Sequence, residues 1–389
     1  MIQFLKISIP LKMQNKRILI VCSFHGSLLN FRGDLIIDLI SSGYEVYCAA
    51  PDFEQKTMDQ LHQLGAKTVE ILMERTGLNP FKDLASIKNL KKVIQNNNID
   101  LVFAYTIKPV IYSSIAARQA EVPAVSLITG LGFTFSAVNL KSKILQTITQ
   151  RLYKYGLKKN STVIFQNSDD LQLFLDLDVI GKSQKTAVVH GSGINLERFA
   201  FRERTKSKGD AIRFVIVGRL IKEKGADMFL DAAKILRKKY PNAEFHLIGG
   251  PPENSSNAIS LSRLKTYQDQ GIIVYHGHQN NIATLIAKND VFVLPTYYRE
   301  GVPRSILEAL SVGMPVITTD TPGCKETIDN GTNGILIPSQ DLNALVNAME
   351  FFIEKPEKIG PMGQKSRRLA EKKFDVAIIN KQIIDILNN

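Results

Sequence analysis

The chain has 389 residues, 44% of them hydrophobic, with 49 Lys and Arg against 37 Asp and Glu for a net charge of +12, and its mean hydropathy is near zero. That length allows two domains with separate cores, the composition excludes a fibrous or disordered chain, and the charge favours an anionic partner such as nucleic acid, an acidic membrane face or a diphosphate. Cys22, Cys48 and Cys324 are odd in number and scattered, which argues for a reducing compartment and against a disulfide framework.

No uninterrupted apolar run approaches bilayer-spanning length. The opening MIQFLKISIPLK has neither a long apolar core nor a small-residue cleavage site, so it reads as an extension or a misassigned start, with a weak membrane-touching amphipath as the sharper reading. Arg17–Cys22 reads as a first strand, Ser23–Ser27 as a turn and Phe31–Ile40 as a helix. Gly26 either lets a ligand approach the backbone or merely serves the turn. Asn30, Phe31 and Arg32 either line a cleft or belong to a capped helix start. Further strands are expected at Tyr44–Ala49, Thr68–Leu72, Leu101–Tyr105, Pro123–Leu127 and Val163–Gln166, with helices such as Phe81–Gln95 and Val110–Arg118 between them. This alternation predicts a parallel sheet covered on both faces. No GxGxxG follows a strand, which weighs against an NAD or FAD enzyme.

Thr129 and Gly130 open a glycine-containing loop after the fifth strand, a place for ligand contact. Leu140–Leu157 sets Leu140, Ile144, Ile148 and Leu152 at four-residue spacing and loads the remainder with Lys141, Lys143, Arg151, Lys154, Lys158 and Lys159. The pattern suits a core helix with a solvated outer face, or a helix lying on an anionic membrane surface, where each basic residue contributes about 1 kcal/mol. Asp176 and Asp178 formally make a DxD, but far in sequence from the basic loop described next, and no His or Cys cluster has ligand spacing. No metal and no cofactor is expected.

The pattern restarts at Arg213–Gly218, which runs into Arg219 and Lys224, Gly225 and a helix through Arg237. A planar arginine fork and a mobile lysine charge on a strand-to-helix loop suit phosphate oxygens. Glu244–Gly249 and Ile272–His276 are further strands. Leu294–Asp320 then reads as the end of strand Val291–Leu294, a loop, a helix over Ser305–Val312 stopped by Gly313, and a strand Pro315–Thr319. A right-handed crossover puts such a loop and helix start at the carboxyl edge of the sheet, where ligands bind and anions are favoured. Yet Glu300 lies in the loop and Glu308 one turn inside the helix. Carboxylates beside an anion site point to a ligand with both phosphates and hydroxyls, which is the chemistry of a nucleotide sugar. Glu308 could accept from both ribose hydroxyls, with Glu300 by the sugar and the amides of Gly301 and Val302 stabilising phosphate charge.

Glu300, seven intervening residues and Glu308, with Gly301 and Pro303 between them and EALSVGMPV following, resemble the signature of retaining glycosyltransferases of family four. The wording YYREGVPRSILEAL, TTDTPGCKETI and NGILIP is most similar to members acting on undecaprenyl-diphosphate-linked saccharides. VGRLIKEKG matches a second hallmark of the family, in which Arg219 and Lys224 are implied to grip the donor phosphates. The resemblance further implies that the loop at Gly26 faces the donor diphosphate and that Gly249, Gly250, Gly277 and His278 edge the base and phosphate site. His190–Phe199 resembles the family's hinge. Many relatives carry a histidine where this chain has Thr129. His25 is a candidate substitute for its hydrogen bonds, although a lone histidine is more often structural.

The fold implied is GT-B, an α/β architecture of two Rossmann-like domains facing across a cleft. Residues 1–190 would bind the acceptor, residues 191–372 the nucleotide sugar, and residues 373–389 would form a helix crossing back to the first domain. The function implied is transfer of a sugar, an N-acetylhexosamine such as GalNAc or GlcNAc, from a UDP-sugar to a polyprenyl-diphosphate-linked acceptor. The enzyme would be cytoplasmic and peripheral on the inner face of the membrane. The route would be front-face attack, with a donor phosphate oxygen taking the acceptor proton. The cations weigh against a paired-carboxylate hydrolase. A UDP-sugar 2-epimerase of the same architecture is the rival enzyme. A nucleic-acid-binding protein rests on charge alone, without RNA or DNA motifs, so no nucleic-acid partner is expected.

Overall fold

A computed structural model describes residues 16–74, 77, 79–135, 140–252, 255 and 257–389. The first twelve residues, on which an expectation was placed, lie outside them. By contact density the chain divides into one unit up to Val189 together with Asn380–Asn389, and a second unit, His190–Ile379.

The first unit holds seven strands: β1 Lys16–Val21, β2 Tyr44–Ala50, β3 Lys67–Glu70, β4 Leu101–Tyr105, β5 Ala124–Ile128, β6 Thr162–Phe165 and β7 Thr186–Val188. They pair in parallel in the order β3-β2-β1-β4-β5-β6-β7. β4 and β5 are buried along their whole length, as expected of strands covered on both faces. β7, a short edge strand with every residue half-buried, is additional to the expected strands. The order reverses between β1 and β4, so their carboxyl ends flank a crevice. Ser23 and Thr106 share a hydrogen bond there at 3.3 Å, and Ser27 bonds the Tyr105 hydroxyl at 2.8 Å.

The second unit holds β8 Arg213–Val217, β9 Glu244–Ile248, β10 Val274–Tyr275, β11 Val291–Leu294, β12 Val316–Thr319 and β13 Gly334–Ile337. Their order is β10-β9-β8-β11-β12-β13, again all parallel. Here the reversal falls between β8 and β11, the two strands whose following loops carry Lys224 and Glu300. β13 is the other unexpected edge strand; a Cβ at its Gly334 would stand 2.1 Å from the Val316 carbonyl oxygen. The core centres on stacked Phe214 and Phe245, 5.6 Å apart, with Phe229 against the latter. The last helix, Val376–Asn388, starts in this unit, where Val376 N donates to Ile194 O at 3.0 Å. It ends in the first unit, where Asn380 donates to Asp38 at 2.7 Å and Tyr44 bonds Asn388.

The helix Leu140–Leu157 has the expected ends, but of its apolar stripe Ile144 and Ile148 face outward while Leu152 packs against the core. Ile144 and Ile148 are 55% and 41% exposed, whereas Thr149, Tyr153 and Leu157 are buried. Gly156 explains the difference, because a Cβ there would be 3.2 Å from Ile111 O and 3.3 Å from Ile111 Cα. That close approach turns the Thr149–Tyr153–Gly156 side toward the helix Ile107–Gln119. Lys143, Arg151 and Lys154 remain exposed, and the side chain of Lys141 lies outside the described residues.

Candidate active site

The loop after β8 is shaped by backbone contacts that exclude side chains. Gly249 has φ +123°, and a Cβ on it would lie 2.0 Å from Gly218 O, so the ends of β8 and β9 close directly on each other. The chain then makes a short 3₁₀ turn over Lys222–Lys224 and enters the helix Ala226–Lys239 through Gly225, at φ +76°. A Cβ on Gly225 would stand 2.2 Å from Pro295 O. The carbonyl of Glu223 accepts from Thr296 Oγ1 at 2.8 Å, Tyr297 N at 2.9 Å and Tyr298 N at 3.0 Å. Three donors on one oxygen stitch the turn bearing Lys224 to the loop bearing Glu300.

The result is an ion pair between Lys224 Nζ and Glu300 Oε1, with side chains 15% and 14% exposed. The ring of Tyr298 lies beside both cations, its centroid 5.7 Å from the Arg219 guanidinium carbon and 5.9 Å from Lys224 Nζ. Such contacts restrain flexible cations without neutralising them. Gly323, in the TPGC turn after β12, would place a Cβ 1.6 Å from Gly301 O, which pins the end of the Glu300 loop from below. Buried Cys324 follows, its thiol pushed up to about 12 by burial and by the Glu300 charge.

Gly301, Val302 and Pro303 are buried at the start of the helix Arg304–Ser311, where the Pro303 carbonyl accepts from Ile306 N at 3.0 Å. Glu308 does not stand open at the helix mouth. Arg304, one turn earlier, bonds its carboxylate at 3.3 Å, while the same guanidinium reaches Ser192 Oγ at 3.3 Å and Gly193 O at 3.4 Å. A ribose would therefore have to share Glu308 with Arg304. Burial raises the Glu308 carboxyl above its ordinary 4.5, and the charges of Arg304 and Arg198 oppose that rise only in part. Because the folded-state value is raised, ionisation costs stability above it, and stability is regained as pH falls toward 4.5. Glu308→Gln, which keeps a hydrogen bond to Arg304, should thus show its largest stability relative to the parent at pH 8, shrinking toward pH 5. Urea midpoints at both pH values check this, and a difference that grows on acidification contradicts it.

The other expected site residues are placed separately. His278 is exposed beyond β10 and makes no side-chain hydrogen bond among the described residues. In the first unit Gly26 is the first residue of the helix Gly26–Ser41, and a Cβ on it would meet the Phe24 ring at 2.8 Å, so its smallness accommodates an aromatic ring. His25 bonds Thr57 at 3.0 Å and lies 3.9 Å from Glu54. Arg32 is buried with its guanidinium 5.1 Å from the Tyr105 ring centroid. Thr129 and Gly130, the latter at φ +113°, leave β5 half-buried. Asp178 pairs with Lys154, and Asp176 accepts from Gln172 at 2.8 Å. Among the described residues no group of three or more His, Cys, Asp or Glu could hold a metal. Residues not anticipated are Thr296, Tyr298, Glu223 and Arg304. Only Arg304 carried a readable signal, its i,i+4 spacing to Glu308.

The family described as Glycosyl transferases group 1 matches residues 197–372, and Glycosyl transferase 4-like matches residues 18–167. The chain is 29% identical over 340 residues to the N,N'-diacetylbacillosaminyl-diphospho-undecaprenol alpha-1,3-N-acetylgalactosaminyltransferase of Campylobacter jejuni, spanning 84% of this chain and 87% of that one. It is 28% identical over 278 residues to the UDP-Gal:alpha-D-GlcNAc-diphosphoundecaprenol alpha-1,3-galactosyltransferase of Escherichia coli, spanning 69% and 70%. In fold it is similar to Anabaena Alr3699/HepE in complex with UDP, with a TM-score of 0.75 and 20% identity over 97% of this chain and 100% of that one. Two parallel Rossmann-like sheets, basic and acidic loops meeting at the reversal of the second, and family matches to both halves lead to one conclusion: the chain belongs to the family-four glycosyltransferases of GT-B fold and transfers a sugar from a nucleotide sugar.

Proposed function

We propose that the enzyme takes an N-acetylhexosamine from a UDP-sugar and adds it, with retention, to an undecaprenyl-diphosphate-linked saccharide in surface-glycan assembly. The observation that carries this reading is the Lys224–Glu300 pair at the carboxyl ends of β8 and β11, with Arg219 beside the same tyrosine ring. An ammonium has three donors, so Lys224 keeps Glu300 while reaching a phosphate oxygen. Arg219 and Lys224 take up the charge that develops on the diphosphate as the sugar–oxygen bond breaks. Glu300, held by Lys224, accepts from the sugar hydroxyls. The acceptor hydroxyl attacks the same face, and its proton passes to the departing phosphate oxygen, so no protein base is required. The named acceptors of the Campylobacter and Escherichia relatives support the lipid-linked substrate, and the UDP complex of the Anabaena protein supports the donor.

Exposed Ile144, Ile148 and Tyr155, set among Lys143, Arg151 and Lys154, give the helix Leu140–Leu157 a face suited to the anionic inner surface of the cytoplasmic membrane. No helix among the described residues is long and apolar enough to cross a membrane. The test is transfer from radiolabelled UDP-GalNAc, UDP-GlcNAc and UDP-galactose to a panel of polyprenyl-diphosphate saccharides, with the product anomer read by NMR. An α-linked N-acetylhexosamine product is expected. Inversion, or release of free UDP and an epimerised sugar without any acceptor, refutes the reading.

A further inference from the structure

A cavity of about 310 Å³ opens on the flank of the second sheet, lined in part by Arg202, Arg213, His246, His276 and Lys288. This size is at the lower end of small-ligand pockets, roughly 300–1,000 Å³. Arg213 and Glu244 begin β8 and β9, so that end of the cavity is about 15 Å along the strands from the loop that carries Arg219, while His276 follows β10 nearer the carboxyl edge. Phe245 points into the core, which turns its neighbours Glu244 and His246 to the opposite face.

The charges facing this space are mostly positive. Glu244 is held by Arg213 at 3.2 Å and by His246 Nε2 at 3.1 Å. Asp290 is held by Lys206 at 2.9 Å and by the Arg213 amide, also at 2.9 Å. Arg204, next to Arg202 and Glu203, is committed to the carbonyls of Asn289, Val312 and Gly313. Glu203 is exposed. Because a carboxylate only accepts, His246 Nε2 carries a proton toward Glu244. His246 Nδ1 then accepts from His276 Nε2, 3.0 Å away, and the remaining basic nitrogen of the pair is His276 Nδ1. Burial, His246 and Lys288 together hold His276 below its ordinary 6.5.

We infer that this cavity is a second anion site, binding a phosphoryl group independently of the donor loops through Arg202, Arg213, Lys288 and the His246–His276 pair. A tetrahedral dianion offsets the repulsion among these groups and makes His276 more basic. Binding therefore takes up a proton and strengthens as pH falls.

Calorimetric titration of the full chain with sulfate, whose charge is constant from pH 6 to 8, tests this. Severalfold tighter binding is expected at pH 6. Lys224→Ala, in the donor site, should leave it unchanged. Lys288→Gln, at an exposed position, should weaken it severalfold, and His276→Gln/Lys288→Gln at least tenfold, with circular dichroism confirming the fold. Retained binding in the double variant, or loss in Lys224→Ala, overturns the site. Sedimentation with phosphatidylglycerol vesicles separates the sources. Reduced pelleting of the double variant assigns the phosphoryl group to a lipid headgroup, and unchanged pelleting assigns it to a soluble ligand.

Discussion

Transfer by Lys224→Ala is expected to fall by about two to three orders of magnitude in kcat, the range seen when one preorganised donor to developing negative charge is removed. The variant also strands Glu300, whose side chain is 14% exposed. Breaking a buried pair from one side costs about 3–5 kcal/mol, more than the pair itself contributes. Loss of activity in the single variant therefore mixes catalysis with stability. Lys224→Met/Glu300→Gln separates them, because it removes both charges and keeps the volume. Its urea midpoint should return to within about 1 kcal/mol of the parent while transfer stays abolished. Recovered transfer alongside recovered stability would mean that the pair is only a structural brace.

Gly225→Ala should have the largest effect on stability among simple glycine changes on this loop. The position has φ +76°, which costs an alanine roughly 1–2 kcal/mol. The added methyl would also stand 2.2 Å from Pro295 O, and that oxygen belongs to the backbone rather than to a side chain able to swing away. A total of at least about 3 kcal/mol corresponds to a drop in Tm of roughly 6 °C or more. The control is Gly209→Ala, at φ +96° with nothing within 4 Å of the new Cβ, where only the backbone preference is lost, roughly 1–2 kcal/mol. Surviving Gly225→Ala enzyme should also transfer sugar poorly, since the turn bearing Lys224 must move. Thermal unfolding of the two variants side by side checks the difference, and equal losses would contradict it.

The central unit of the second sheet was legible because it is chemically dense. The strand Val291–Leu294, the helix that follows and the two glutamates inside a distinctive context fix the crossover and its loop. What the sequence could not show is which charges meet. Lys224 and Glu300 come together through Thr296 and two tyrosine amides gathered on the Glu223 carbonyl, a convergence of loops with no local signature. Glu308 was readable as a candidate site residue, yet its engagement with Arg304 and, through it, with Ser192 depends on the approach of a segment far away in sequence.

Two other readings failed for physical reasons. β7 is only three residues long, and the apolar Ile335–Ile337 of β13 stands directly behind the turn-forming Asn330–Gly334, so neither stood out as a strand of its own. In the helix Leu140–Leu157 the four-residue apolar spacing was real, but packing followed Gly156, where the backbone of Ile111 comes close. Ile144 and Ile148 of the stripe were left exposed. At Gly26 the side that a Cβ would take is filled by the Phe24 ring, so its smallness does not by itself decide between a ligand contact and a simple turn.

Titration of UDP into the parent chain, Arg219→Ala and Lys224→Ala is the most direct measurement. If cations after β8 and acids after β11 hold a sugar diphosphate between them, the parent binds UDP and each variant weakens it by tenfold or more, while circular dichroism stays unchanged. UDP affinity that is the same in all three proteins would contradict the assignment of the donor site.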